Sequence, residues 1–438
     1  MGEISHPIAK MNGTASLFRN FVSLVGAEAF TKLITFAAFA YLARICGPSG
    51  FGYVEWSAAI LMCASLIVDQ GFNSYGAREI AKNPDETGQL VAEIVSARFL
   101  LAGVSFFAVV AFAFTFVREE SVLKLVLAYG LSVWALPLLL QWVFQGHDRM
   151  KLVALTQIIR QTVFVAVVIT LVRKADDLIF VGLAEVAGVT SAAAVSVWIY
   201  RKCFAGKIWF RPVLSRRLLV EGAPIGLSQI FWVIRMFGAT LILGLVGSAE
   251  DTGYFAGAMR ILIALHTFVW LYYFNLLPSM SRAWIEGPGK FSSLFNRSMV
   301  LVASACVVVG IVWIVIAPYV MGVAYGSGFS NGGVALRWLA VVWVAAAISG
   351  HFRFGLIAAN QQRREMLTSA IGSILALVLI PLAYRFSGIK GAAAALGFAE
   401  VIVLASSWIF ARRYLFAAGL HRPAVNAGCL EQLGEVTR

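Results

Sequence analysis

The chain has 438 residues, of which 60% are apolar and only 13% charged, and its formal net charge is +13. Together with a mean hydropathy of +0.83, a charged share about half that of a soluble domain excludes a soluble enzyme: outside the apolar runs no segment is large enough to enclose an active site. The basic excess is read as the bias of Lys and Arg toward cytoplasmic loops of membrane proteins, and no nucleic-acid partner is expected.

A bilayer core takes about 20 apolar residues per helix, and runs of that length recur about twelve times. The predicted class is an all-α polytopic membrane protein. Residues 1–19 form a polar cytoplasmic N-terminal segment without an apolar stretch before a cleavage site, so the first span is expected to act as the insertion signal. Spans are predicted at 20–45, 51–71, 90–117, 122–146, 151–172 and 178–200, making an N-lobe over 20–200. A basic cytoplasmic linker follows at 201–217. Spans at 218–246, 252–277, 295–318, 334–359, 366–385 and 389–411 make a C-lobe over 218–411, and 412–438 is a cytoplasmic tail. The two six-span halves carry a faint internal echo. Gly47-Pro48-Ser49-Gly50-Phe51-Gly52-Tyr53 follows span 1, and Gly247-Ser248-Ala249-Glu250-Asp251-Thr252-Gly253-Tyr254 follows span 7.

Of the 35 basic residues, twenty-one fall on the side of the termini, seven on the other side and seven inside spans, which places both termini in the cytoplasm. The five cysteines and five histidines lack metal or disulfide spacing. No nucleophile triad, carboxylate pair or nucleotide-binding glycine loop stands out. No cofactor or metal is expected, a coupling ion such as H⁺ or Na⁺ aside.

An ionisable group at mid-bilayer costs at least about 2.5–3.5 kcal/mol, so such groups face a bundle interior or a water-filled cavity. The basic candidates are Lys32, Arg98, Arg160, Arg235, Arg260, Arg337 and Arg353, read as substrate-binding. Glu28, Asp69 and Glu400 are read as ion-coupling or gating residues, and Glu55, Glu185, His266 and His351 lie in the same regions. Arg337, Glu55, Asp69 and Arg353 lie near span ends, where a side chain reaches the interface by snorkelling. Glu28 and Lys32 share a helix face four residues apart, either as a neutralising pair or as a coupling carboxylate with its partner. In span 10, Arg337 and His351 share a stripe and Arg353 points roughly the opposite way. The first half holds three basic and four acidic candidates and the second holds four basic and one acidic. That excess in a low-dielectric wall favours an anion, and arginine suits phosphate through its planar fork. Pro137, Pro224 and Pro381 fall within or at the start of spans, as kinks or as hinges.

Span 1 ends in Tyr41-Leu42-Ala43-Arg44-Ile45-Cys46-Gly47-Pro48 with Phe51-Gly52 after it, and span 2 ends in Asp69-Gln70-Gly71-Phe72 before Arg78-Glu79-Ile80-Ala81. Tyr325-Gly326, Leu336-Arg337 and the run Gly388-Ile389-Lys390-Gly391-Ala392-Ala393-Ala394-Ala395 before Glu400 complete the pattern. The chain thereby resembles the oligosaccharide flippases of the polysaccharide-biosynthesis transporters, within the multidrug/oligosaccharidyl-lipid/polysaccharide exporter superfamily. The resemblance implies two six-helix lobes in a V around a central cationic cavity. It implies translocation of a polyprenyl-pyrophosphate-linked oligosaccharide to the outer leaflet of a bacterial cytoplasmic membrane by alternating access, alongside other polysaccharide assembly proteins. Arg44, Asp69, Arg78 and Arg337 match its motifs, in folding or gating as much as in sugar contact.

Three other readings are weighed. A multidrug/ion antiporter of the same superfamily shares the plan but calls for acidic cavity walls. A glycan polymerase or ligase needs a large outer loop, and the longest predicted here is Tyr319–Gly333, about fifteen residues. A non-transporting scaffold has no use for buried charge.

Overall fold

The computed structural model describes residues 14–204, 209 and 216–417, with side chains described from Thr31 onward except at 216–225, 228, 229, 232 and 417. Most of the predicted basic linker and of the two terminal segments therefore lies outside the described residues. The described residues are helical, without a strand, and nine of their helical stretches are long and apolar enough to cross a bilayer. The chain is a multi-pass membrane protein. Two compact units are present, Met1–Gln229 (unit 1) and Ile230–Arg438 (unit 2).

Unit 1 begins with α1 (Thr14–Asp69) and the short α2 (Phe72–Lys82), followed by α3 (Thr87–Phe116), α4 (Glu120–Leu131), α5 (Gln141–Gly146), α6 (Met150–Leu171) and α7 (Leu178–Cys203). The next helix, α8 (Arg216–Val246), contains the boundary between the units. Unit 2 continues with α9 (Ala249–Glu286), α10 (Pro288–Tyr325), α11 (Gly333–Ala358) and α12 (Gln362–Ala411).

Two helices are longer than one crossing needs, and each is broken inside. In α1 the break is Gly47, at φ 66° and ψ −179°. That backbone conformation is open almost only to glycine. Pro48 then opens the next helical segment, where a missing N–H costs nothing. In α12 the break is Ser387 and Gly388, the latter at φ 55° and ψ −144°. Both breaks lie two residues beyond the predicted ends of spans 1 and 11. The Gly-rich stretch after span 1 is thus a one-residue interruption of a helix, not an extended turn. Its counterpart after span 7 is two residues, Gly247 and Ser248, between α8 and α9. Ser248 caps α9, its Oγ accepting the Asp251 amide at 3.0 Å. Tyr384 of α12 donates its hydroxyl proton to Asp251 at 2.7 Å and accepts the Ser248 amide at 3.1 Å.

Span 4 is interrupted as well. The helix α4 tightens into a 3₁₀ segment, Ser132–Leu138, that contains Pro137 before the chain resumes as α5. The ring removes a backbone donor there, and the buried Trp142 and Phe144 of α5 pack with Phe72, Tyr75 and Tyr200 in the core of unit 1. Between α6 and α7 the turn is held by Asp177, whose carboxylate accepts the Arg173 and Lys174 amides at 2.9 Å each. These bonds hold its pKa below the ordinary carboxylate value.

One predicted boundary is corrected. The outer loop Tyr319–Gly333 is not a loop: α10 runs on to Tyr325 and a 3₁₀ segment, Ser327–Gly332, fills most of the remainder. Met321, Tyr325 and Phe329 are buried there, and their packing keeps the chain helical where glycine content alone suggested otherwise.

Replacing Gly47 by Ala forces a Cβ into a glycine-only conformation and should destabilise the protein by about 1–3 kcal/mol. Gly88→Ala, at a helical glycine with open space around it, should cause no loss. Thermal unfolding of the purified protein in detergent checks both, and equal melting of Gly47→Ala and wild type would refute the assignment of strain.

Candidate functional site

Among the described residues, Arg98, Arg160, Arg235 and Arg353 on transmembrane helices are held by carboxylates, each reached across a helix–helix contact. In unit 1, Arg98 of α3 pairs with Asp69, the last residue of α1. The chain turns there through left-handed Gln70 and Gly71, and Asp69 Oδ1 also accepts the Asn73 amide at 3.2 Å. Asp69 thus satisfies an orphan donor in the first turn of α2 while neutralising Arg98. Arg98 is buried, and its Nε and Nη1 find no partner among the described residues. Arg160 of α6 pairs with Glu185 of α7, and its side chain remains 34% exposed.

Unit 2 concentrates its charge in one place. Arg235 of α8 and Glu400 of α12 form a two-pronged pair, Nε to Oε1 at 2.8 Å and Nη2 to Oε2 at 2.7 Å. Their side chains are only 5% and 4% exposed. Arg353 of α11 donates through Nε to Glu365 of α12 at 2.9 Å and through Nη2 to Ser369 Oγ at 2.8 Å. The Ser369 hydroxyl donates in turn to Glu365 at 3.1 Å. One turn further along α12, Ser373 donates to the Phe231 carbonyl of α8 at 2.9 Å. Arg353 lies within electrostatic range of both Arg235 and Glu400. Helices α8, α11 and α12 therefore bring two guanidinium groups and two carboxylates together.

The other candidates stand elsewhere. Lys32 of α1 and Arg337 of α11 are exposed, Arg260 of α9 is partly buried and Glu55 of α1 is buried. The Glu28 side chain lies outside the described ones. His351 is fully buried on the face of α11 that meets α10, its Nε2 3.0 Å from the Phe295 carbonyl and 3.4 Å from Ser298 Oγ. It holds two helices together and is separate from the Arg353 pair, as the opposed helical faces require. Among the described residues no group of three or more His, Cys, Asp or Glu is placed to hold a metal ion.

Glu365 and Ser369 were not among the sequence candidates, because Glu365 falls one residue outside the predicted span. The signal was there in the hairpin. The helices α11 and α12 run antiparallel from a turn near Ala359, and Arg353 and Glu365 are each six residues from it. They must therefore lie at one depth.

The energetics suit exchange of partners. Two opposite unit charges about 4 Å apart gain roughly 4 kcal/mol at an effective dielectric of 20, while desolvation takes back several kcal/mol per ion. A buried pair is therefore close to break-even. Losing one partner is costly, and swapping it for another of the same charge is not.

The family described as polysaccharide biosynthesis protein matches residues 17–284, more than half of the chain. A protein of Escherichia coli (strain K12) named "Putative O-antigen transporter" is 23% identical over 416 residues, covering 91% of this chain and 97% of that protein. A protein of the same name from Shigella dysenteriae is 23% identical, with 88% of this chain and 98% of that protein covered. Among solved structures, an inward-facing multidrug resistance MATE family transporter of the MOP superfamily superposes with a TM-score of 0.71 at 13% identity, covering 90% of this chain and 96% of that one. The lipid II flippase MurJ in an inward closed conformation gives a TM-score of 0.69 at 12% identity, covering 91% and 90%. These structural likenesses establish the fold.

Replacing Arg235 by Gln leaves Glu400 buried without its counter-charge and should cost about 3–5 kcal/mol. The double variant Arg235→Gln/Glu400→Gln should recover most of that loss. Melting temperatures of the three proteins in detergent check this, and a double variant no more stable than the single one would contradict it.

Proposed function

Because the chain belongs to the polysaccharide biosynthesis protein family, we propose that it is a flippase that carries a polyprenyl-pyrophosphate-linked oligosaccharide from the inner to the outer leaflet of a bacterial cytoplasmic membrane. Transport proceeds by alternating access, with both termini in the cytoplasm, in concert with other polysaccharide assembly proteins. The O-antigen transporter names of the two relatives and the fold shared with a lipid II flippase support this class of substrate.

The observation that carries the reading is the cluster of Arg235 and Arg353 with Glu400 and Glu365. Sugars and pyrophosphate cannot cross hydrocarbon without partners for their polar groups, whereas the polyprenyl tail stays in lipid. Two guanidinium groups within electrostatic range of each other suit the paired phosphates of such a head group, which arginine binds through two parallel N–H bonds. The carboxylates hold these sites while the protein is empty and yield them to the substrate. A guanidinium group that releases its carboxylate can take a phosphate in its place, which supports an anionic cargo over the organic cations of a multidrug antiporter. The energy source is a gradient, of H⁺ or Na⁺ or of the substrate itself, and not ATP hydrolysis by this chain.

Translocation in proteoliposomes, with a polyprenyl-pyrophosphate oligosaccharide as cargo and empty vesicles as reference, tests the proposal. Wild type should deliver the lipid to the opposite leaflet. Arg235→Gln/Glu400→Gln, stable but without the guanidinium, should lose at least about tenfold in rate, as loss of a charged hydrogen-bonding partner implies. Delivery by the double variant at the wild-type rate would remove Arg235 from the binding site. No delivery by wild type, together with gradient-driven efflux of organic cations, would replace the flippase by the antiporter.

A further inference from the structure

A cleft between α9 and α10 shares no residue with the charged cluster. It encloses about 370 Å³ and is lined by apolar surface of Phe268 and Tyr272 from α9, Leu301, Ala305 and Val309 from α10, and Trp343 from α11. That volume is within the range of ligand pockets. All three helices are long and apolar enough to cross a bilayer. The lips of the cleft, Phe268 and Leu301, are 69% and 62% exposed. In a membrane its mouth opens on hydrocarbon.

The two ends of the cleft differ. Past Trp343 the space shrinks to a void of about 10 Å³ lined by Leu262, Trp313, Leu336 and Ala340. That is barely room for one water, so a hydrocarbon chain stops there. Toward the α9–α10 turn, each lip runs on into a polar side chain. Arg297 is one turn from Leu301 on α10, and Asn275 is two turns from Phe268 on α9, each on the face of the lip residue. Counted from Gly287 between the helices, Asn275 and Arg297 are twelve and ten residues away, so they lie at nearly one depth in the hairpin. Both are exposed. Unlike the four paired arginines, Arg297 has no carboxylate partner among the described residues. Asn275 spends one N–H on the Leu271 carbonyl at 2.7 Å and has a second to donate.

Length also fits a particular occupant. Leu301 to Val309 covers about 12 Å of helix and Arg297 lies about 6 Å beyond. Together they match one leaflet, half of a hydrocarbon core about 30 Å thick. We propose that the cleft binds one anionic phospholipid of the bilayer, an acyl chain lying between α9 and α10 and the phosphate resting on Arg297 and Asn275. The guanidinium supplies a charge-assisted bond to the phosphate, and the amide of Asn275 donates to the same group. In the orientation proposed above this is the cytoplasmic leaflet. The closed end favours an acyl chain over any chain longer than a leaflet, which separates this lipid from the cargo. The inference goes beyond the flippase reading and does not depend on it.

Native mass spectrometry of the full chain in detergent tests this, with phosphatidylglycerol and phosphatidylethanolamine of identical acyl chains as probes. Wild type should hold one phosphatidylglycerol about fivefold more tightly than phosphatidylethanolamine, the attraction of one basic side chain for an anionic lipid. Arg297→Gln should bind the two lipids equally. Ala305→Trp, which fills the cleft, should lose the tightly held lipid. Both positions are exposed, so neither substitution should disturb folding. A wild type without the preference, or a preference that survives Arg297→Gln, would overturn the head-group assignment and the proposal with it. Unchanged binding by Ala305→Trp would remove the lipid from the cleft. Displacement of phosphatidylglycerol by an equal concentration of a polyprenyl phosphate would give the cleft to the cargo's own lipid class and overturn the phospholipid assignment.

Discussion

A charge inside a membrane protein must have a counter-charge. Removing an ion from water costs several kcal/mol even after relaxation, so each deep arginine of this chain needs a carboxylate at hydrogen-bonding distance. That requirement fixes which helices meet. It ties α3 to the end of α1, α6 to α7, α8 to α12, and α11 to α12. Apolar packing supplies cohesion without direction, because lipid is as apolar as the helix faces it competes with. The ion pairs supply the direction. They also leave the molecule with interactions near break-even, which is what a site needs if it is to open for a charged ligand and close again.

The class of the fold was legible from apolar run length alone, because a bilayer imposes a fixed span on any helix crossing it. Helix breaks were legible where chemistry compels them. Gly47-Pro48 announces an interruption through a glycine that tolerates positive φ and a proline that needs no donor. The α10 extension was not legible, since the burial of Met321, Tyr325 and Phe329 decides it and burial is a property of the folded chain. Glycines at 322, 326, 328, 332 and 333 suggested a loop that packing overrode.

The charged site divides in the same way. Which ionisable residues lie deep can be read from their place in apolar runs. Who partners whom cannot, except where a hairpin imposes it. Arg353 and Glu365 are such a case, equidistant from one turn. Arg235 and Glu400 stand 165 residues apart, and no local rule connects them. His351 shows the same limit: a single imidazole in an apolar stretch, it meets the Phe295 carbonyl through a tertiary contact that no local pattern announces.

The pairing of these arginines also has an electrical consequence. Moving one elementary charge through a potential of 100 mV involves about 2.3 kcal/mol. Each of the four pairs, Arg98–Asp69, Arg160–Glu185, Arg235–Glu400 and Arg353–Glu365, carries no net charge while intact. A helix movement that carries an intact pair through the membrane field therefore does almost no electrical work on it. Any voltage sensitivity of the empty protein has to originate in charges outside these pairs. Under the proposed flippase reading the loaded protein would differ, because an anionic cargo at the cluster would break its neutrality and make its passage answer to the potential across the membrane.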